Sequence, residues 1–303
     1  MKVAAAVVTF NRKDELVKNI RAILSQTLVV DRYYVIDNHG TDQTEALLRE
    51  EGLLDNPVIN YVYLPENIGG AGGFYTGLRM AYDDGYDYIC LMDDDGRPAD
   101  ENMMRNLVEK AKSLHKKKGE ILLNSLVYGP DGNTLSFGLS GGIKTKENAL
   151  KRGTNNLIEG TINPFNGTLV SRELVKKIGF PNKEFFIKGD EQDYFYRALN
   201  AGAFVATVVN SNYYHPVLER IHGKIFGKEV VSSTEAPWKE YYRARNFTYM
   251  FKRDAEPRKY IRQNIRQIIW ALKYNLQKWK TVRMIIKGWR DGVAGRLGPR
   301  VKP

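Results

Sequence analysis

The sequence predicts an α/β protein, a Rossmann-like mixed sheet flanked by helices, followed by a basic helical region. Three observations carry that prediction. In the N-terminal half, short apolar, β-branched runs alternate with stretches of helical period, the order a parallel sheet requires. Polar or glycine-rich turns follow each apolar run, where an open sheet presents its ligand loops beyond the carboxyl ends of its strands. After residue 235 the period turns helical and basic residues dominate.

In chain order, residues 3–10 read as a strand, 13–26 as a helix, 33–37 as a strand, 43–51 as a helix and 58–64 as a strand. The stretch NIGGAGGF at 67–74 opens a helix running to about Asp84, and 86–92 form the next strand. Residues 122–161 are rich in Gly, Asn and Ser, with turn signals at Pro130-Asp131-Gly132-Asn133 and Gly141-Gly142, and read as a hairpin insertion. Phe165-Asn166-Gly167-Thr168 leads into a short helix. The acids at 190–193 suit the positive end of a helix reaching Asn200. Residues 241–253 and 258–289 are helical in period. The second run carries an apolar stripe of Ile261, Ile265, Ile268, Ile269, Leu272 and Leu276, bordered by Arg262, Arg266, Lys273 and Lys278.

With 43% hydrophobic residues over 303 positions the chain is long enough to bury a core and is not disordered. Its single cysteine, Cys90, excludes an intrachain disulfide framework and fits a reducing, cytosolic setting. The opening MKVAAAVVTF meets Asn11 and Arg12 too soon for a signal peptide, and no run approaches the ~18 apolar residues that cross a bilayer. Neither export by a signal peptide nor a membrane span is expected. The net charge of +11 is unevenly placed: positions 236–303 hold 18 Lys and Arg against four acids, a net of +14 that leaves −3 for the rest. A slightly acidic body with a basic C-terminal region points to an anionic surface, membrane phospholipid or nucleic acid, unless the charges are merely solvated.

Three adjacent carboxylates, Asp93, Asp94 and Asp95, repel one another at a strand end unless a cation neutralises them. Hard divalent ions such as Mn2+ and Mg2+ take such oxygen ligands. In extended backbone Asp93 and Asp95 point one way and Asp94 the other. Asp95 is therefore read as the primary metal ligand, and Asp93 as a ligand of the metal or of a nucleotide ribose; an acidic helix start before Pro98 is the competing reading. His215 either completes a Mn2+ shell or is structural. Asp37, ending the second strand, is placed to accept hydrogen bonds from a nucleoside. Thr9, Asn11 and Arg12 of the first loop are placed at base and phosphates, although a helix cap at Asn11 explains that residue equally well. The loop with Asn67 and Gly70 lacks the lysine and spacing of a Walker sequence. Its glycines admit either a ligand at a helix N-terminus or a close helix-sheet contact. Gly189-Asp190-Glu191-Gln192-Asp193 is the place to look for a general base acting on an attacking hydroxyl, helix capping being the alternative.

Together, and in this order, VVTFNR, VIDNHGTD, ENIGGAGGF, LMDDDGRP, FNGTLVSRE and GDEQDYFYR resemble the large inverting glycosyltransferase family with the GT-A fold, glycosyltransferase family 2, over residues 1 to about 220. The DDD triplet, where many relatives have a looser DxD, and the glycine loop resemble the bacterial galactofuranosyltransferase and rhamnosyltransferase branch. The resemblance implies metal-dependent transfer, with inversion, from a nucleotide sugar to a lipid-linked or growing cell-surface polysaccharide. UDP-galactofuranose is the favoured donor and dTDP-rhamnose the alternative. It implies Mn2+ or Mg2+ at Asp93, Asp95 and His215, and donor contacts from Thr9, Asn11, Arg12, Asp37, Asn67, Gly70, Asp93 and Asp94. Glu191 falls where the family's ED motif holds its base; here Asp190-Glu191 reverses that order, so either acid is the candidate. Asp193 and Arg197 are assigned to the acceptor side.

On this reading residues 1–235 form the catalytic domain, with nucleotide-sugar binding in 1–98 and the acceptor side in 120–235. Residues 236–303, with Trp270, Trp279 and Trp289 among their cations, form an amphipathic region for peripheral docking to the inner face of a bacterial cell membrane or for homo-oligomer contacts. A nucleotidyltransferase would want a phosphate-gripping basic motif beside the first strand. A nucleic-acid-binding protein would explain the basic region but not the acidic rim, so no nucleic-acid partner is expected.

Overall fold

The computed structural model describes residues 1–115, 119–217, 220–225 and 227–302. The chain divides into two compact units, Met1–Pro181 with Tyr194–Val217, and Asn182–Asp193 with Leu218–Pro303. This division differs from the expected boundary near residue 235. The turn at 182–193 joins the helical unit because Arg245 and Asn246 of that unit bind its backbone carbonyls.

The first unit begins with alternating strands and helices: β1 (Val3–Thr9), α1 (Lys13–Leu24), β2 (Arg32–Asp37), α2 (Thr44–Glu50), β3 (Ile59–Tyr63), α3 (Gly69–Asp83) and β4 (Tyr88–Asp93). After them come β5 (Arg97–Pro98), α4 (Met103–His115), β6 (Ile121–Tyr128), β7 (Thr134–Leu139), β8 (Ile143–Thr145), α5 (Lys146–Arg152) and β9 (Leu157–Glu159). Then β10 (Asn166–Ser171), α6 (Arg172–Ile178), α7 (Asp190–Asn200, its first four residues in the second unit) and β11 (Phe204–Tyr214) follow. The main path of the sheet runs β3-β2-β1-β4-β10-β6-β11-β5. β1 to β4 are parallel, and β10 enters antiparallel between β4 and β6.

Strand β1 shows why the apolar runs read as strands. Val3, Ala5 and Val7 enter one core with Leu16, Ile20 and Ile23 of α1, whereas Ala4, Ala6 and Val8 enter the core on the opposite face with Phe74 and Leu78 of α3. Both faces being covered, the strand is continuously apolar rather than alternating. A Cβ on Gly73 would collide with the Val8 side chain, so the missing side chain lets α3 lie close to the sheet.

One expectation needs correction in this unit. Residues 121–128 belong to the central sheet rather than to a hairpin insertion. β6 is buried through Val127 and pairs with β10 and β11, its apolar character hidden by the polar Asn124 and Ser125. Only the following β7 and β8 pair as an excursion. Residues 166–171 lead into the short helix α6, as expected, and themselves form a central strand that the sequence reading did not assign, β10, buried at every position.

The second unit has the hairpin β12 (Ile221–Ile225) and β13 (Lys228–Ser232) and the helices α8 (Pro237–Arg253), α9 (Pro257–Tyr274) and α10 (Lys278–Val293). Helix α10 lies against the backbone of α8, since a Cβ on Gly288 would strike the carbonyl oxygen of Tyr241. The expected single helical run over 258–289 is two helices. Asn275 leaves the helix with φ −85° and ψ 137°, and its Oδ1 accepts from Gln277 N at 2.8 Å. The predicted apolar stripe faces the core only in part: Ile268 packs against Ala244, Ala271 and Ile285, whereas Ile261, Ile265 and Leu276 are exposed and Asn264 and Trp270 are buried. A polar pair, Asn264 Nδ2 donating to Thr248 Oγ1 at 2.8 Å, joins these apolar contacts where α9 meets α8. Among the described residues no helix is long and apolar enough to cross a membrane.

Candidate functional site

β4 ends on Asp93, and the chain then turns through Asp94, Asp95 and Gly96 into β5, which pairs with the end of β11: Tyr213 opposite Pro98 and Tyr214 opposite Arg97. That pairing sets His215, the next residue of the chain, beside the triplet. Asp93, Asp95 and His215 each offer one ligand atom, all within 4.8 Å of one another.

The histidine geometry fixes more. His215 Nδ1 lies 2.7 Å from the carbonyl oxygen of Pro216, which only accepts, so Nδ1 carries the proton. Nε2 then stands 3.2 Å from Asp95 Oδ1 with either a second proton or a lone pair. A lone pair and a carboxylate this close need a cation between them, a proton or a metal ion. Burial alone would lower the His215 pKa, but the hydrogen bond and charge of Asp95 outweigh it and raise it. Burial would likewise push Asp95 up; His215 and Arg12 prevail and bring it down to about 2. Two carboxylates and one imidazole whose second nitrogen is anchored make a donor set that fits a hard or borderline divalent ion.

Asp94 has a different place. It is buried, accepts from Thr9 Oγ1 at 2.9 Å and lies 3.4 Å from Arg12 Nη1. Burial pushes its carboxyl up to about 6 against the pull of Arg12. Arg12 also pairs with Asp95. Asp94 and Thr9, both expected on the donor side, are bonded to each other and so tie the end of β1 to the triplet turn.

The rim loops are laced together. Asn11, in the left-handed region at φ 55°, accepts from Thr41 N at 2.6 Å, while Asp42 Oδ2 accepts from Lys13 N at 3.0 Å at the start of α1. Asn11 therefore joins two loops rather than capping the helix. Asp37 is buried and accepts from Gly40 N at 2.7 Å and from Tyr61 Oη at 2.6 Å. Asn67 accepts from Asn38 Nδ2 at 3.0 Å and from Gly69 N at 2.9 Å. A Cβ on Gly70 would meet nothing within 4 Å, so at the head of α3 this glycine, unlike Gly73, leaves open space.

Two positioning residues escaped the sequence reading. Asn19, fully buried, donates to Gly96 O at 2.6 Å and accepts from Tyr33 Oη, so α1 holds the turn that presents the triplet. Its signal was a polar residue inside the apolar stripe of Leu16, Ile20 and Ile23. Asn166, opposite Met92 in the β10–β4 register, is buried, and its Oδ1 finds no partner among the described residues. Arg197, assigned to the acceptor side, donates to Ile178 O at 2.5 Å and Phe180 O at 2.9 Å and so holds the end of α6.

In the second unit the candidate bases open α7. Phe186, Lys188 and Gly189 have φ of 65°, 67° and 92°, a strained approach of the kind that collects at functional sites. The turn is held from below: Asn246 Nδ2 donates to the carbonyls of Ile187 at 2.9 Å and Lys188 at 2.7 Å, and Arg245, fully buried, donates to those of Glu184 at 3.0 Å and Phe185 at 2.8 Å. Glu191 Oε2 accepts from Gly189 N at 3.0 Å, and Asp190 is buried. Asp193, assigned to the acceptor side, is buried and accepts from Arg253 Nη1 at 2.5 Å, an internal ion pair.

A parallel-rich sheet with an acidic triplet at the carboxyl end of a central strand is the arrangement of a GT-A glycosyltransferase. The family model described as "Glycosyl transferase family 2" matches residues 5–179, and the chain belongs to this family of enzymes. It is 30% identical to the galactofuranosyltransferase GlfT1 of Mycolicibacterium smegmatis over 220 residues, 71% of this chain and 70% of that one. It is 23% identical to the dTDP-rhamnosyl transferase RfbF of Shigella flexneri over 303 residues, 97% of this chain and 96% of that one. Among solved structures, S. aureus TarS 1-349 in complex with UDP-GlcNAc is similar with a TM-score of 0.59 at 15% identity, covering 97% of this chain and 83% of that chain, a likeness of fold.

Proposed function

We propose that this glycosyltransferase moves a sugar, galactofuranose foremost, from a nucleoside diphosphate to a hydroxyl of a lipid-linked or growing cell-surface polysaccharide, with inversion. The observation that carries the reading is the convergence of Asp93, Asp95 and His215 at the end of β4. A divalent ion held by these three supplies electrostatic stabilisation for a departing diphosphate. The laced loops of Asn11, Asp37 and Asn67 shape the nucleotide side, Gly70 leaves room for the donor, and Arg12 keeps Asp95 ionised and in place. Asp190 or Glu191 takes the proton of the attacking hydroxyl. Similarity to GlfT1 favours UDP-galactofuranose, and similarity to RfbF along nearly the whole chain makes dTDP-rhamnose the second reading.

The basic helical unit docks peripherally on the inner face of the cell membrane. In support, Leu276 and Trp279 are exposed at the α9–α10 junction amid cations. A donor screen tests the enzymatic reading: metal-dependent turnover of UDP-galactofuranose above dTDP-rhamnose and the common UDP-hexoses is expected, and turnover of none of them overturns it. Asp190→Asn and Glu191→Gln assign the base, the true base losing about a hundredfold or more in kcat.

A further inference from the structure

A pocket of about 430 Å3 in the second unit lies among α8, α9 and the β12–β13 hairpin. Its lining combines two chemistries. Arg243, Lys259, Arg262 and Arg266 supply cations, while Phe247, Phe251, Trp270, Ile225, Val230 and Val231 supply apolar surface. On α9 the residues facing it, Lys259, Arg262, Arg266 and Trp270, follow one stripe of the helix. Lys259 is paired with Glu256 at 2.6 Å and Arg243 lies 3.9 Å from Glu240. Arg262 and Arg266 have no ion-pair partner among the described residues, so two cations stand at the pocket with their charge unanswered. Glu240 is buried and bound by Gln267 Nε2, which fixes the amide orientation; Gln267 Oε1, a buried acceptor, finds no partner among the described residues.

We infer that this pocket binds the phosphate-bearing headgroup of an anionic lipid. The guanidinium groups of Arg262 and Arg266 take the phosphate, for which planar donors are suited. Gln267 Oε1 accepts from a headgroup hydroxyl, and the aromatic wall carries the first part of the acyl chain. The inference deepens the membrane reading of this unit, on which it rests for its cellular meaning, by replacing diffuse attraction with one stoichiometric site. A neutral headgroup leaves the arginines unanswered, and a phosphate without a chain leaves the apolar wall wet.

The test is calorimetric titration of the full chain with dihexanoyl phosphatidylglycerol below its micelle concentration. Saturable one-to-one binding is expected, weakened about tenfold or more in Arg262→Gln/Arg266→Gln and unchanged in Lys112→Gln/Lys176→Gln, which removes the same charge from exposed positions of the first unit. Both arginines are exposed, so the double variant keeps the fold, and its thermal melt verifies this. Equal weakening in the two variants, equal binding of dihexanoyl phosphatidylcholine, or equal binding of inorganic phosphate each overturns the site. Flotation with phosphatidylglycerol vesicles reports the broader reading separately: a chain that binds the monomeric lipid but not vesicles keeps the pocket and loses membrane docking.

Discussion

His215 Nε2 stands 3.2 Å from Asp95 Oδ1, although the two residues come from elements far apart in the chain. The short pairing of β5 with the end of β11 makes the contact, and the Nδ1 proton on Pro216 O aims the other nitrogen at the carboxylate. An aspartate next to an imidazole so constrained is a cation site whose occupant is a proton or a metal ion.

The turn that presents this site is only as rigid as Asn19. Asn19→Ala removes the hydrogen bond to Gly96 O and leaves the Tyr33 hydroxyl without its buried acceptor. A loss of about 2 kcal/mol in denaturant unfolding is expected, together with weaker Mn2+ binding. An unchanged unfolding midpoint and unchanged Mn2+ affinity refute the positioning role.

Arg245 does comparable work in the helical unit. Its guanidinium donates to the carbonyls of Glu184, Phe185 and Gly298, and burial lowers its pKa. Arg245→Met strands those carbonyls and costs about 3 kcal/mol or more, seen as a fall in melting temperature. Arg245→Lys recovers only part of it, because an ammonium group cannot reproduce the planar fork. Full recovery with lysine shows that charge alone matters there.

Cys90 lies in the middle of β4, and burial pushes its thiol pKa up to about 12. The thiolate is the charged form, so burial disfavours it, and at pH 8 the reactive fraction falls roughly a thousandfold. Iodoacetamide is expected to leave the native protein almost unlabelled at pH 8 and to label it fully in concentrated urea. Native labelling that accelerates with pH toward the thiol's raised pKa supports the shift, and rapid native labelling at pH 8 contradicts it.

The early β-α units were legible because each strand is covered on both faces and therefore reads as unbroken apolar sequence, as Val3 to Val8 do. The triplet was legible for the opposite reason, three carboxylates being hard to place without a cation. β6 and β10 were not, since Asn124 donates to Asn166 O and accepts from Thr168 Oγ1 inside the sheet, and these polar residues look like loop residues in sequence. The stripe from Ile261 to Leu276 revealed the helix but located its buried side only in part, since Ile268 packs in the core while the polar pair of Asn264 with Thr248 is also buried there. Asn19 and Arg245 bind backbone carbonyls distant in the chain, a contact with no local signature. The internal partners of Arg197 and Asp193 were not legible either, because a charged helix position reads the same whether it meets a ligand or a neighbour in the fold.

Manganese titration in the presence of UDP tests the central claim most directly, comparing the parent chain with Asp95→Asn and His215→Ala. One saturable Mn2+ site is expected in the parent, weakened about tenfold or more in each variant, with melting temperatures showing that both remain folded. Equal Mn2+ affinity in all three proteins, or no Mn2+ binding by the parent, contradicts the account.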